Sequence, residues 1–156
     1  MFDQEKNQES KVIIRLITGE DAQDVSQLCC EGMGYHCDRT LVRERIAHLD
    51  PEREAVFVAE LDGSVVGFIH VEKYNTLYFE SMANLLGMAV SSRCRRHGIG
   101  KLLIDKAEAW ALAHDISIMR LNTGLKRVEA HAFYSRLGYR NEKEQYRFSK
   151  RLDGSY

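Results

Sequence analysis

The chain lacks the features that mark membrane, secreted and nucleic-acid-binding proteins. No apolar run approaches the ~18 residues of a membrane span, and the first ten residues are polar and charged, unlike a secretory signal. The 22 Lys and Arg residues balance 23 Asp and Glu residues, so the net charge is −1 and gives no global attraction to nucleic acid or an acidic membrane surface. These absences predict a cytoplasmic protein with neither nucleic acid nor a membrane as its partner.

Cysteine and proline are also scarce. The four cysteines include no C-x-x-C pair, and Cys29 and Cys30 are adjacent, which suits neither a zinc site nor a disulfide scaffold. The six histidines lack metal-ligand spacing, so no metal is expected. With one proline, Pro51, and no low-complexity linker, the 156 residues fit one domain. We expect a polar, flexible lead over residues 1–10 and a single domain over 11–156.

Hydrophobic periodicity predicts a mixed α/β (α+β) fold. Asp62-Gly63 between two β-branched runs indicates a hairpin with a tight turn. Helices are predicted from the capping-box-like Thr18, from about Asp38, over 99–113 and over 128–137. The predicted strands cover residues 12–18, 55–61, 65–74, 77–90, 117–121 and 145–152.

The most informative stretch is residues 88–103, where a strand leads through a basic, glycine-containing turn into a helix. Helix N-termini present unpaired N–H groups, and Gly98 and Gly100 lack a Cβ that would keep a phosphate from the backbone. No Walker loop is present because Leu102 follows Lys101, and Leu103 stands where a dinucleotide fingerprint needs its third glycine or alanine. From these residues alone, a phosphate-binding loop and a loop that only caps the helix are equally compatible with the pattern.

Two motifs together resemble a known family. Arg95-x-x-Gly98-x-Gly100 resembles the [Gln/Arg]-x-x-Gly-x-[Gly/Ala] signature with which the GNAT superfamily of N-acetyltransferases binds the pyrophosphate of acetyl-CoA. Residues 127–139 (RVEAHAFYSRLGY) resemble the family's A-x-x-F/L-Y-x-x-x-G-F/Y helix and turn. The resemblance extends over essentially all of the chain after residue 10. Arg127 departs from it, because many members carry a cofactor-contacting Asn at this position.

The resemblance implies a central, mostly antiparallel twisted sheet of six to seven strands, about four flanking helices and a V-shaped cofactor cleft. It implies transfer of an acetyl group from acetyl-CoA to a primary amine, either a small amine or a peptide or protein amine, by direct attack in a ternary complex. The implied cofactor-binding residues are Met88, Ala89, Val90, Arg95, Arg96, His97, Gly98, Ile99, Gly100, Lys101 and Phe133.

The implied catalytic residues are Tyr134 and Glu80. Tyr134 would protonate the departing thiolate, although it also belongs to an ordinary helix stripe. Glu80, on the strand before the glycine loop, would take the proton of the amine, but a solvated surface position is equally compatible with it. His70 and His131 also have suitable intrinsic pKa values, and no sequence rule selects among the three.

The acceptor and the partners are less defined. The resemblance places the acceptor pocket at residues 32–38 and 141–145, where Asp38, Glu142 and Glu144 could attract a cationic amine. Ordinary exposed surface is the favoured explanation of these residues and of Glu80. The alternative function is a non-catalytic acyl-CoA-binding sensor or interaction module, and a weaker one is a nucleotide-binding domain that uses the same loop. Exposed sheet edges make a homodimer a reasonable expectation.

Overall fold

Five strands and four α-helices form the regular structure of residues 10–94 and 97–155, which this computed structural model describes. The predicted lead, residues 1–10, lies outside the described residues except for Ser10. The strands are β1 (Val12–Leu16), β2 (Glu54–Leu61), β3 (Ser64–Tyr74), β4 (Met82–Val90) and β5 (Met119–Leu121). The helices are α1 (Ala22–Met33), α2 (Arg39–Ala47), α3 (Ile99–Ala113) and α4 (Val128–Arg136).

The strands form one sheet in the order β1-β2-β3-β4-β5, with antiparallel neighbours except for the parallel pair β4–β5. This confirms the mixed α/β class and the mostly antiparallel sheet. The described chain has five strands rather than six to seven. The predicted strand over 145–152 is not formed, and Tyr146, Phe148 and Leu152 are each more than nine-tenths exposed. Its alternating residues suit an extended chain, but a strand also needs a hydrogen-bonded neighbour.

Local signals account well for the turns. Asp62 and Gly63 have φ values of 51° and 81°, the two positive angles of a type I′ hairpin turn between β2 and β3. Gly34, with φ of 72°, ends α1 in the left-handed conformation. The Asp38 carboxylate accepts a hydrogen bond from the Thr40 N–H at 2.9 Å and so caps α2.

Helices cover both faces of the sheet. On one face, α1 and α2 pack on β2 and β3 through a buried cluster that includes Val25, Val42 and Phe68. On the other face, α3 lies so close to β3 that a Cβ built on Gly67 would be 3.1 Å from Leu103 Cδ1. The sheet therefore holds the N-terminus of α3 beside the end of β4.

The chain divides into two compact units, one ending at Leu121 and one beginning at Asn122. The second contains α4, where the Tyr134 ring lies 5.2 Å from that of Phe133 and 5.8 Å from that of Tyr139, measured between centroids. The single domain over residues 11–156 stays a prediction. In the part of the chain that the structure describes, no helix is long and apolar enough to cross a bilayer.

Candidate active site

The end of β4 has an open edge. β4 pairs with β3 as far as Val90, but its parallel ladder with β5 stops at Leu85. The register against β3 shifts at the same point, because Val71 pairs with Leu85 and His70 with Gly87, which leaves Leu86 as a bulge. Beyond the bulge, residues 86–90 make no ladder with β5, and an extended ligand could pair there as an added strand. The predicted backbone contacts of residues 88–90 lie on this edge.

Residues 91–98 connect the end of β4 to the N-terminus of α3. The Ser91 N–H donates to the Val66 carbonyl at 2.7 Å, and the Cys94 N–H donates to the Ser91 carbonyl at 3.0 Å. Gly98 is the N-cap with φ of 69°, a left-handed angle that favours glycine. Its carbonyl accepts the Leu102 N–H at 3.1 Å, so the three N–H groups of residues 99–101 precede this helical bond. Such groups are suited to bind an anion.

The side chains of the loop differ in what they can contribute. Arg95 and Arg96 lie outside the described residues. The Ile99 side chain is buried in the core, so only its backbone can reach a cofactor. His97 and Lys101 are exposed, and the Lys101 ammonium lies 2.6 Å from Asp105 Oδ2. The backbone donors and the open edge of β4 fit an elongated ligand with a phosphate end, and the cofactor-binding roles of the individual residues stay predictions.

Tyr134 lies on α4 in the second unit. Burial raises the pKa of its phenol above the ordinary value, against the opposing charge of Arg127. The phenol therefore stays protonated at neutral pH, as a proton donor requires. Phe133 is its neighbour on α4, and the two rings meet edge to face. The catalytic role of Tyr134 and the pantetheine contact of Phe133 stay predictions.

Glu80 does not lie on a strand, and this prediction is wrong. The β3–β4 ladder closes at the pair Tyr74–Met82, so Glu80 belongs to the exposed loop over residues 75–81. The apolar residues that extended the predicted strand also lie in this loop, where Leu77 is fully exposed. Its role as the base stays a prediction. His131, another candidate for the base, lies on α4, and its Nε2 is 2.9 Å from the Gly124 carbonyl oxygen.

His70 occupies a different environment. It lies on β3, on the face covered by α1 and α2, and its Nε2 is 2.8 Å from Glu54 Oε1 on β2. The two side chains are 27% and 17% exposed. A cavity of about 160 Å³ opens beside the imidazole, with walls from α1, α2, their linker, β2 and β3. Its surface is almost entirely apolar, and Arg45, Cys37 and His70 are the polar residues among those that line it.

A second polar cluster continues along the same face of the sheet. Asn84 on β4 donates to Glu72 at 3.2 Å and accepts from Arg120 at 2.7 Å. Arg53 bonds the other oxygen of Glu72 at 3.0 Å, and the Arg120 guanidinium lies 4.5 Å from the centre of the Tyr74 ring. Sequence reasoning missed this cluster and Glu54. The alternation of His70, Glu72 and Tyr74 along β3 was the available signal, since it places three polar residues on one face.

The acidic residues predicted to attract an amine belong to two different units. Asp38 serves as the cap of α2. Glu142 and Glu144 are exposed in the irregular part of the second unit. No group of three or more potential metal ligands occurs among the described residues.

Comparison with known proteins assigns the family. Residues 20–139 match the model of the Acetyltransferase (GNAT) family. The chain belongs to this family. The match covers the open edge of β4, the glycine loop, α3 and α4, so the resemblance of the two sequence motifs is confirmed.

Individual relatives agree with this assignment. The chain is similar to the aminoalkylphosphonate N-acetyltransferase of Salmonella typhimurium, with 32% identity over 145 residues, 89% of this chain and 90% of that protein. It is 32% identical over 123 residues to the human N-acetylaspartate synthetase, which covers 70% of this chain but only 40% of that protein. The chain thus matches less than half the length of this second relative.

The fold resembles an aminoglycoside N-acetyltransferase solved in complex with CoA. The TM-score is 0.80 at 21% identity, over 94% of this chain and 99% of the other. At this identity the likeness establishes the fold, which confirms the architecture that the motifs implied.

Proposed function

We propose that this GNAT-family chain transfers an acetyl group from acetyl-CoA to a primary amine by direct attack in a ternary complex. One observation carries the proposal: the open edge of β4 at residues 86–90 leads directly into the free N–H groups at the start of α3. An extended pantetheine arm needs the first and a pyrophosphate needs the second. The two relatives described above, at 32% identity, are both named as enzymes that form N-acetyl compounds.

Different groups of the chain bind the cofactor, polarise the thioester carbonyl and donate the proton. When bound, acetyl-CoA supplies an activated acetyl thioester. The backbone of Met88, Ala89 and Val90 pairs with the arm, and an N–H on this edge polarises the thioester carbonyl. The N–H groups of residues 99–101 and the cationic side chains of the loop hold the phosphates. The Tyr134 phenol, kept protonated by burial, gives its proton to the departing thiolate.

The acceptor is a small primary amine that also carries an acidic group. The cavity beside His70 is of small-molecule size, and the exposed cation Arg45 lies on its α2 wall. A guanidinium pairs well with carboxylate and phosphonate. The names of the two relatives, which contain aspartate and aminoalkylphosphonate, point to acceptors of this kind.

The proposed compartment and assembly follow from other features. The four cysteines are free, as expected of a protein in the reducing cytoplasm. β1 is an edge strand with Ile13 and Leu16 at least half exposed, and a homodimer formed through this edge would cover them. Light scattering on the purified protein, with β1 variants that carry a lysine at Ile13, tests the dimer.

The function is tested by titration calorimetry with acetyl-CoA, followed on the same sample by a free-thiol assay. The amine panel contains aminoalkylphosphonates, acidic amino acids, a polyamine and a lysine peptide. We expect CoA binding and thiol release that depends on an acidic amine. Binding without release by any amine would favour the sensor, and absence of binding would refute the cofactor site.

A matched pair of variants ties the result to the loop. Gly100→Asp places a carboxylate among the N–H groups that begin α3, and we expect it to weaken CoA binding severely. Gly19→Asp serves as the control, because a Cβ built on Gly19 meets no atom within 4 Å and Gly19 lies outside the loop. Equal dissociation constants for Gly100→Asp and the parent would contradict the assignment.

A further inference from the structure

His70 and Glu54 form an imidazole–carboxylate pair between neighbouring strands. The carboxylate can only accept, so Nε2 carries the hydrogen that the Glu54 oxygen receives. In the neutral ring Nδ1 is then the acceptor nitrogen. Within the part of the chain that the structure describes, Nδ1 makes no hydrogen bond. The pair thus holds an imidazole in the tautomer of a base, with Nδ1 as its acceptor nitrogen.

The position of His70 links the cavity to the open edge of β4. Its partner across the β3–β4 ladder is Gly87, which follows the bulge and precedes Met88. Directly opposed residues of an antiparallel pair have Cα atoms about 4.5 to 5.5 Å apart. A Cβ built on Gly87 would lie 3.5 Å from Met33 Cε and 3.9 Å from Phe68 Cε2, so these side chains pack over Gly87. His70 also lines the 160 Å³ cavity. The imidazole is therefore next to both the proposed acceptor space and the backbone proposed to hold the thioester.

The charged and titratable groups around the imidazole are defined. Glu54 contacts it from β2, and Glu72 lies two residues along β3 on the same face, with its charge engaged by Arg53. From the covering elements, Arg45 on α2 and the Cys37 thiol of the α1–α2 linker line the same cavity. Glu54 is thus the carboxylate in contact with the ring.

We propose that His70, held by Glu54, is the general base of the acetyl transfer, in place of the exposed Glu80. This inference rests on the proposed function. The acceptor enters as an ammonium and gives one proton to Nδ1, which leaves a neutral amine with a lone pair. The C–N bond to the acetyl carbon forms and the C–S bond breaks. The Tyr134 phenol gives its proton to the thiolate, which leaves as CoA-SH, and the second nitrogen proton replaces it on the phenol oxygen. The proton on His70 passes to solvent. Glu54 is a positioning residue, because it acts through the imidazole.

The test compares His70→Gln, Glu54→Gln, Glu80→Gln and the control His48→Gln in the full chain. His48 is an exposed histidine at the end of α2, and it is not part of the site. Each variant is measured by CoA titration calorimetry and by the pH profile of kcat/KM with the amine that the parent uses. Thermal melting checks the fold.

His70→Gln is expected to bind CoA like the parent and to lose about 100-fold or more in kcat, the usual contribution of a general base. It should also lose the acidic limb of the pH profile of kcat/KM, and added free imidazole should restore part of the rate. Glu54→Gln should lower kcat while CoA affinity stays unchanged, because the imidazole loses the carboxylate that holds its tautomer. Glu80→Gln and His48→Gln should keep the profile of the parent.

An unchanged limb in His70→Gln, or a limb that disappears in Glu80→Gln, would overturn the inference while the transferase activity of the parent stands. If His70→Gln does not fold, an unchanged kcat in Glu54→Gln overturns it instead. A parent that binds CoA but acetylates no amine would overturn the proposed function and this inference together.

Discussion

Replacing Gly67 by alanine tests whether the close packing of α3 on the sheet positions the proposed phosphate site. A Cβ at Gly67 would lie 3.1 Å from Leu103 Cδ1, 3.2 Å from the Ala89 carbonyl oxygen and 3.3 Å from Ile99 Cγ2. None of these atoms can move freely, because Leu103 and Ile99 are almost fully buried and the third atom is backbone. The helix must therefore shift by a few tenths of an ångström at its N-terminal turn.

The expected magnitude follows from two opposing effects. Overpacking of a core costs about 1 to 3 kcal/mol. The change from glycine to alanine also stabilises the protein by about 0.4 to 1 kcal/mol, because it lowers the conformational entropy of the unfolded chain. The mid-range values give a net loss of about 1.3 kcal/mol. At a urea m-value of about 2 kcal/mol/M this loss lowers the midpoint by about 0.6 M.

The assay is urea unfolding followed by CoA titration calorimetry, with Gly19→Ala as the control. Gly19 has open space around its Cβ position and no left-handed φ, so its variant should be as stable as the parent or slightly more so. Gly67→Ala should also bind CoA more weakly, since residues 99–101 move with Ile99. A Gly67→Ala variant with unchanged midpoint and unchanged CoA affinity would refute the reasoning.

Two other predictions concern single side chains. Tyr134→Phe should lower kcat by about 100-fold with CoA affinity unchanged. Because burial raises the phenol pKa, the parent should lose activity with rising pH only above the ordinary value of 10.0. Equal rates for parent and variant would exclude Tyr134 as the proton donor. Asp21 is 6% exposed and its pKa is lowered by hydrogen bonds from Arg15, then by that from the Thr18 N–H. Asp21→Asn should destabilise the fold by about 2 kcal/mol. The ionised Asp21 carboxylate stabilises the fold at pH values above its unfolded pKa of 3.8, and this stabilisation is lost as the pH falls through the lower folded pKa. The urea midpoints of parent and variant should therefore converge in acid. Midpoints that stay the same distance apart at every pH would contradict this.

The elements that sequence analysis located well are those determined by neighbouring residues. The hairpin turn at Asp62-Gly63 needs two positive φ angles, and that dipeptide supplies them. The bounds of α3 follow from a 3.6-residue apolar stripe that begins directly after Gly98. The glycine loop combines both signals, a left-handed glycine and the start of an apolar helix stripe. The sequence alone was therefore enough to predict the proposed cofactor site.

Other parts depended on distant partners. Residues 145–152 alternate like a strand, but without a paired neighbour they remain irregular. Glu80 seemed to lie on a strand because the apolar residues before it extend the pattern, whereas the ladder with β3 begins only at Met82. In both places the side-chain pattern indicated an extended chain, and hydrogen-bond pairing decided whether a strand formed.

The sequence by itself thus determined the family, the glycine loop and the helix that follows it, because local backbone angles and one apolar stripe define them. The tertiary structure decided which titratable groups meet. Glu54 and His70 are separated by 16 positions, and only the β2–β3 register brings them to 2.8 Å. That register depends on side-chain packing across the whole sheet, which the local sequence around either residue does not contain.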